Sequence, residues 1–132
     1  MIVVDASILA NVVGDDSPVG DAARNRLRLA VHVAAPDLVD VESVAVLRKR
    51  WIAKTMSDRR FKSAVEDLIA LPITRYPTGP LLRRAYELRA NVTPYDATYV
   101  ALAEGLSCTL LTADERLARS PSITCHVEVF TA

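Results

Sequence analysis

Aromatic side chains make up only 5% of these 132 residues, there are two histidines and two cysteines, and the formal net charge is zero. Each scarcity excludes something. Two cysteines cannot make a disulfide scaffold. Cys108 lies in an apolar run, and it and Cys125 are expected as buried, reduced packing residues, because a free thiol behaves as a small hydrophobe. A zero balance gives no overall pull on polyanions, yet it leaves room for a basic face beside an acidic pocket. No apolar stretch approaches the ~20 residues that span a bilayer. MIVVDAS shows no basic leader. The expectation is a protein of the reducing cytoplasm with no membrane contact.

What is plentiful is apolar surface. Half of the residues (51%) are hydrophobic, and a domain of this size buries roughly 68–70% of the surface its unfolded chain exposes. One domain over 1–132 is expected, with no repeats, linkers or low-complexity segments. Ile2 to Val4 read as a short buried strand, followed by a helix over 7–13. Gly14-Asp15-Asp16-Ser17-Pro18 breaks the chain, and a second helical pattern covers 20–30. A strand over 32–35 stops at Pro36-Asp37. A long helix then runs from Asp37, as its cap, to about Thr55, and Ser57 caps another running to about Leu71 with Phe61, Val65, Leu68 and Ile69 on one face. A strand over 73–76, a helix over 78–91, and a helix begun by Thr93-Pro94 and closed by Gly105 follow. The chain ends with a strand over 108–112, a short helix over 114–119 and a strand over 126–130. Strands alternating with helices predict a three-layer α/β/α sandwich with a mainly parallel central sheet.

In such sheets ligands sit outside the carboxyl ends of the strands. Asp5 follows the first strand, and Asp114 lies just past Leu110-Leu111. Each acid also has a structural reading. Asp5 and Asp114 can cap the helices after them. Thr93-Pro94-Tyr95-Asp96 has the form of a capping box. Glu42 shares a helical face with Leu38, Ala45 and Val46, so it is either a partly buried ion-pair member or is aimed into a cleft. Asp40 points elsewhere, toward solvent. Taken together the four acids suggest more than caps. Carboxylates held close repel one another unless something neutralises them, and the hard cations Mg²⁺ and Mn²⁺ with oxygen ligands suit that role.

Four segments carry a resemblance: VVDAS at the N-terminus, PDLVDVES, YDATYVALAE and LLTADERLA. In this order they are similar to the PIN-domain ribonucleases, in particular the VapC toxins of bacterial toxin–antitoxin pairs. The resemblance covers nearly the whole chain. It implies a PIN-like sandwich, a homodimer, Mg²⁺-dependent cleavage of RNA (Mn²⁺ substituting) and inhibition by a cognate antitoxin protein. It places catalytic acids at Asp5, Glu42, Asp96 and Asp114, with Asp5, Asp96 and Asp114 as metal ligands and Asp5 and Asp96 foremost. Glu42 and Asp114 orient water or act through it. Ser7 and Thr112 become hydroxyl helpers at the pocket. One departure is Leu117, which occupies part of a turn where many relatives carry a further polar or acidic residue.

RNA needs a positive landing surface. Arg48, Lys49, Arg50 and Lys54 on one helix, Arg83, Arg84 and Arg89 on another, and Arg116 beside Asp114 are the candidates. Trp51 and Tyr95 are the few options for base stacking, and Trp51 reads rather as packing. A metal-free ribonuclease would need histidine as acid and base, and neither His32 nor His126 neighbours a candidate acid. An aspartyl-phosphate site at Asp5 would call for a lysine after a later strand, and none follows Lys62. A PIN-like module that only docks a protein or RNA is the non-enzymatic alternative.

Overall fold

The computed structural model describes residues 1–132. Five strands, β1 (Ile2–Val4), β2 (Val33–Pro36), β3 (Thr74–Tyr76), β4 (Thr109–Thr112) and β5 (Val127–Val129), form one sheet in the order β3-β2-β1-β4-β5. Every pairing is parallel. Seven α-helices connect them: α1 (Ala6–Gly14), α2 (Pro18–Arg28), α3 (Val39–Ile52), α4 (Asp58–Ala70), α5 (Leu82–Glu87), α6 (Pro94–Gly105) and α7 (Glu115–Ala118). The chain steps from β1 outward to β3, then crosses back over β1 to β4 and β5. Right-handed crossovers therefore put the helices of the two halves on opposite faces. Helices α1 to α4 pack on one another, while α5 packs on α6 and α6 lies against β1, β2 and β4. The expected α/β/α sandwich is the observed one.

The central strands are the buried ones, and the edge strands β3 and β5 are only part-buried. Val3, Val4, Leu110 and Leu111 are fully buried and form the middle of the core with Ile8, Leu9, Tyr99 and Val100. A buried parallel strand reads as a continuous apolar run, which is why IVV and TLL were legible. Register then fixes the site. Val4 pairs with Leu111, and the Asp5 N–H continues the ladder to the Leu111 carbonyl at 3.3 Å. Asp5 thus comes to rest beside Thr112.

Several local expectations differ from the structure. Asp37 does not cap α3. Its N–H still extends the β2–β3 ladder to the Tyr76 carbonyl, and its carboxylate accepts from Thr78 Oγ1 at 2.5 Å, so α3 starts two residues later without a side-chain cap. Asp40 is not simply solvated: it takes Arg75 Nε at 2.7 Å. Ile69 is exposed, because the buried stripe of α4 runs through Phe61, Ala64, Val65 and Leu68, an i, i+3, i+4, i+7 pattern that leaves position 69 about 40° beyond Val65, outside its edge. The expected helix over 78–91 is a single 3₁₀ turn (Gly79–Leu81) running into the short α5. Gly105 does not close α6. Ser107 does, at φ 52°, with its N–H on the Glu104 carbonyl and the Cys108 N–H on that of Ala103. Lys54 ends α3 in the same way, at φ 62°. This double hydrogen bond is the Schellman arrangement, which usually employs glycine at the left-handed position. The two cysteines are free but only part-buried, since Cys108 stands just before the buried part of β4 and Cys125 before the part-buried edge strand β5.

Candidate functional site

The strand order reverses at β1 and β4, the point where open α/β sheets bind ligands. A cleft of about 380 Å³ lies at the carboxyl ends of these two strands, and Asp5, Ser7, Glu42, Asp96 and Asp114 line it with Tyr99, Val46, Ala6 and Ala113. Four elements deliver the four acids. Asp5 leaves β1, Glu42 projects from α3, Asp96 sits in the first turn of α6, and Asp114 follows β4.

Cap and cleft prove to be compatible roles. Asp5 is the N-cap of α1, accepting from the Ile8 N–H at 3.3 Å. Its carboxylate also accepts from Ser7 Oγ at 2.6 Å and from Thr112 Oγ1. Asp114 is the N-cap of α7, with the Arg116 N–H at 2.9 Å, and Thr112 Oγ1 accepts from the Asp114 N–H at 3.1 Å. Thr112 therefore joins the two acids. Thr93 caps α6 by accepting from the Asp96 N–H at 3.2 Å, but no backbone N–H returns to the Asp96 carboxylate, so only half of the capping box forms.

The electrostatics follow from the crowding. Burial holds the Asp5 pKa above its ordinary value although four hydrogen-bonding groups oppose the shift. Asp96 is pushed up by burial and then by the charges of Asp5 and Asp114. Glu42 is pushed up by burial, with further contributions from Asp96 and Asp5, and lowered by its hydrogen bond from Tyr99. Only Asp114 is held low, chiefly by its hydrogen bond from the Arg116 side chain. Arg116 reaches it with Nε at 3.2 Å and Nη2 at 3.3 Å from the exposed rim.

Tyr99 is the cleft residue that the sequence reading did not single out. Its hydroxyl donates to Glu42 Oε1 at 2.6 Å. Burial, then the Glu42 carboxylate, drive its pKa far above that of an ordinary phenol, so it remains a donor. The available signal was its spacing, since it lies one helical turn after Asp96 on α6. Among the basic candidates, Arg48 and Lys49 are exposed on α3. Arg50 is instead spent on packing, donating to Asn11 Oδ1 at 2.6 Å and to the Ala10 carbonyl. Arg84 is likewise tied to Glu104 and to the Ser122 carbonyl, and Arg89 stacks on Tyr86. Trp51 packs near Phe61 and donates to Asp58. Leu117 is buried.

The PIN domain family matches residues 2–122. Ribonuclease VapC12 of Mycobacterium tuberculosis is 39% identical over 129 residues, 98% of each chain. The chain belongs to the PIN-domain family, among the VapC proteins. Its fold is shared with solved VapC structures. VapBC2 from Rickettsia felis, bound to a DNA fragment from its promoter, superposes with a TM-score of 0.71 at 17% identity over 99% of this chain and 100% of that one. Mycobacterium tuberculosis VapC20, a Sarcin-Ricin loop cleaving toxin, gives 0.64 at 18% identity, over 83% of this chain and 87% of that one. For this VapC chain no helix is long and apolar enough to cross a membrane.

Proposed function

We propose that this VapC-family chain is the ribonuclease toxin of a toxin–antitoxin pair and hydrolyses RNA phosphodiester bonds with the help of Mg²⁺. The observation that carries the reading is the convergence of Asp5, Glu42, Asp96 and Asp114 at the switch point of the sheet, with Arg116 as the one cation paired to any of them. The donor set is all oxygen, as Mg²⁺ and Mn²⁺ require. No three of these side chains are drawn close enough to grip an ion by themselves. That spacing suits a hydrated Mg²⁺, which keeps several waters and is held by one or two carboxylates. Asp5 and Asp96 would hold it, because Asp5 is buried and its charge is the foremost one acting on Asp96. Bound there, the ion supplies positive charge for the phosphate and lowers the pKa of a water.

The chain's own residues do the rest. Ser7 and Thr112 fix the Asp5 carboxylate, and Thr112 also holds the Asp114 backbone. Glu42 and Asp114 flank the cleft where a water must be oriented and relieved of a proton. Arg116 is placed at the rim to take the scissile phosphate, and Arg48 and Lys49 offer further phosphate contacts. A homodimer fits the large apolar side chains left exposed on α3 and α5, among them Val41, Ile52, Leu82 and Tyr86. The antitoxin fits an apolar groove of about 540 Å³ lined by Val12, Val13, Leu27, Val33, Leu71 and Ile73, with an arginine of that partner meeting the acids.

The test is end analysis of RNA cut by the purified, antitoxin-free protein. Attack by water leaves a 5′-phosphate and a 3′-hydroxyl. Cleavage should vanish in chelator, return with Mg²⁺ or Mn²⁺ and return poorly with Ca²⁺, whose larger shell orients the water less well. Cyclic-phosphate ends or full activity in chelator would refute the carboxylate–metal reading. No cleavage under any condition would favour a docking module.

A further inference from the structure

We infer that Tyr99 is a positioning residue for Glu42, an inference that rests on the metal reading of the cleft. The Asp5 and Asp114 carboxylates are held by backbone N–H groups of the helices they cap. Glu42 and Asp96 have no backbone N–H on theirs, and of these two Glu42 has the longer side chain to fix. Glu42 projects from the first turn of α3, and its carboxylate takes one hydrogen bond, from Tyr99 Oη. A glutamate has three rotatable bonds, and the Val46 side chain beside it offers no direction. The phenol supplies that direction from a rigid base: the Tyr99 side chain is 2% exposed in the core. It engages Oε1 alone, leaving Oε2 free for the cleft. Because Tyr99 and Asp96 lie one turn apart on α6, the same helix that delivers Asp96 also sets where Glu42 points. The pair fixes the spacing between α3 and α6 across the cleft.

The experiment is a double-mutant cycle read by Mn²⁺ binding, with free ion counted by electron paramagnetic resonance, and by single-turnover RNA cleavage. Tyr99→Phe removes one oxygen and keeps the ring, and matching circular dichroism of all four proteins establishes that they are folded. Glu42 would touch the ion through one of its waters, so Tyr99→Phe should weaken Mn²⁺ binding roughly tenfold, as loss of a group supporting a metal site does, and should slow the cleavage step at saturating RNA. In a Glu42→Gln background, where the carboxylate is already gone, adding Tyr99→Phe should change Mn²⁺ binding by less than about twofold. A purely structural tyrosine would give the same factor in both backgrounds, and that additive result overturns the inference. Wild-type Mn²⁺ affinity in Tyr99→Phe also overturns it while leaving the metal reading intact. A wild-type chain that takes up no Mn²⁺ overturns both. Should Tyr99→Phe fail to fold, Glu42→Asp leaves the core untouched, keeps the charge and draws the carboxylate back from the Tyr99 hydroxyl. Mn²⁺ affinity lost there as in Glu42→Gln supports the role, and wild-type affinity in Glu42→Asp overturns it.

Discussion

Replacing Asp5 with asparagine separates the two things this residue does. The carboxylate is 9% exposed and accepts from Ser7 Oγ, the Ile8 N–H and Thr112 Oγ1. Asparagine keeps that pattern. Its carbonyl oxygen can take Ser7 and Ile8, and its amide can donate to Thr112 Oγ1, whose own proton then turns away. The two residues are about equal as helix caps. What disappears is a charge in a desolvated place facing Asp96 and Glu42. Burying a carboxylate costs several kcal/mol, and hydrogen bonds return only part of it, so the change should stabilise the metal-free fold by on the order of 1–2 kcal/mol. For a chain of this length that is a Tm about 3–8 °C above wild type. Mg²⁺ at ten times its Kd should add about 1.4 kcal/mol to the wild type and little to Asp5→Asn. The gap seen in chelator should therefore shrink or reverse. Thermal melts of both proteins in chelator and in Mg²⁺, beside an RNA-cleavage assay, measure all of this. An Asp5→Asn protein that melts clearly below wild type in chelator would show the charge worth more to the fold than it costs. Equal Mg²⁺ shifts would show that Asp5 does not hold the ion.

Three further outcomes are expected. Burial raises the folded-state pKa of Asp5, Asp96 and Glu42, so their ionisation costs stability, fully above the folded pKa values and not at all below the ordinary 3.8 and 4.5. Metal-free Tm should rise as pH falls through the raised folded pKa values of these three acids, then drop below about 4 as Asp16, Glu104 and Glu128, held low by their partners, are protonated; a Tm that only falls as pH is lowered from neutral would contradict the crowded cleft. Arg50→Ala should cost about 1–2 kcal/mol in urea melts, because Asn11 and the Ala10 carbonyl lose their donor, whereas Arg48→Ala and Lys49→Ala should leave stability unchanged and reduce the salt dependence of RNA binding. Ser107→Gly and Lys54→Gly should each stabilise by about 0.5–1 kcal/mol, since both positions have positive φ, and a loss in either would mean that the native side chain packs more than its exposure suggests.

What could be read from the sequence was whatever one element carries within itself. Asp5, Asp96 and Asp114 were visible as candidates because each stands where a strand ends or a helix begins, and those boundaries are written in adjacent residues. Glu42 was visible because an acid interrupts an apolar face. What could not be read was pairing over distance. Nothing near Tyr99 says that its hydroxyl meets Glu42, 57 positions earlier in the chain. Nothing near Arg50 separates it from Arg48 and Lys49, yet one helical position turns it onto α1. Asp40 found Arg75 and Asp37 found Thr78 in the same way. At Gly105 a local rule pointed to the wrong residue, because the turn closes two positions later on Ser107, where the two hydrogen bonds outweigh the strain of a left-handed serine.

The central strand β1 precedes both of its sheet neighbours in the sequence. Val3 and Val4 wait for β2 on one side and for Leu110 and Leu111 on the other. Thr112, which clasps Asp5, lies 107 positions after it, and Asp114 follows two residues later. Closing the cleft is therefore one of the most non-local steps of folding, since Asp5 cannot take its Thr112 hydrogen bond until β4 has paired with β1 and contacts of such separation carry a loop-closure entropy. The sheet and the cleft are completed together, so a chain that has not closed its sheet has no cleft in which the proposed chemistry could run.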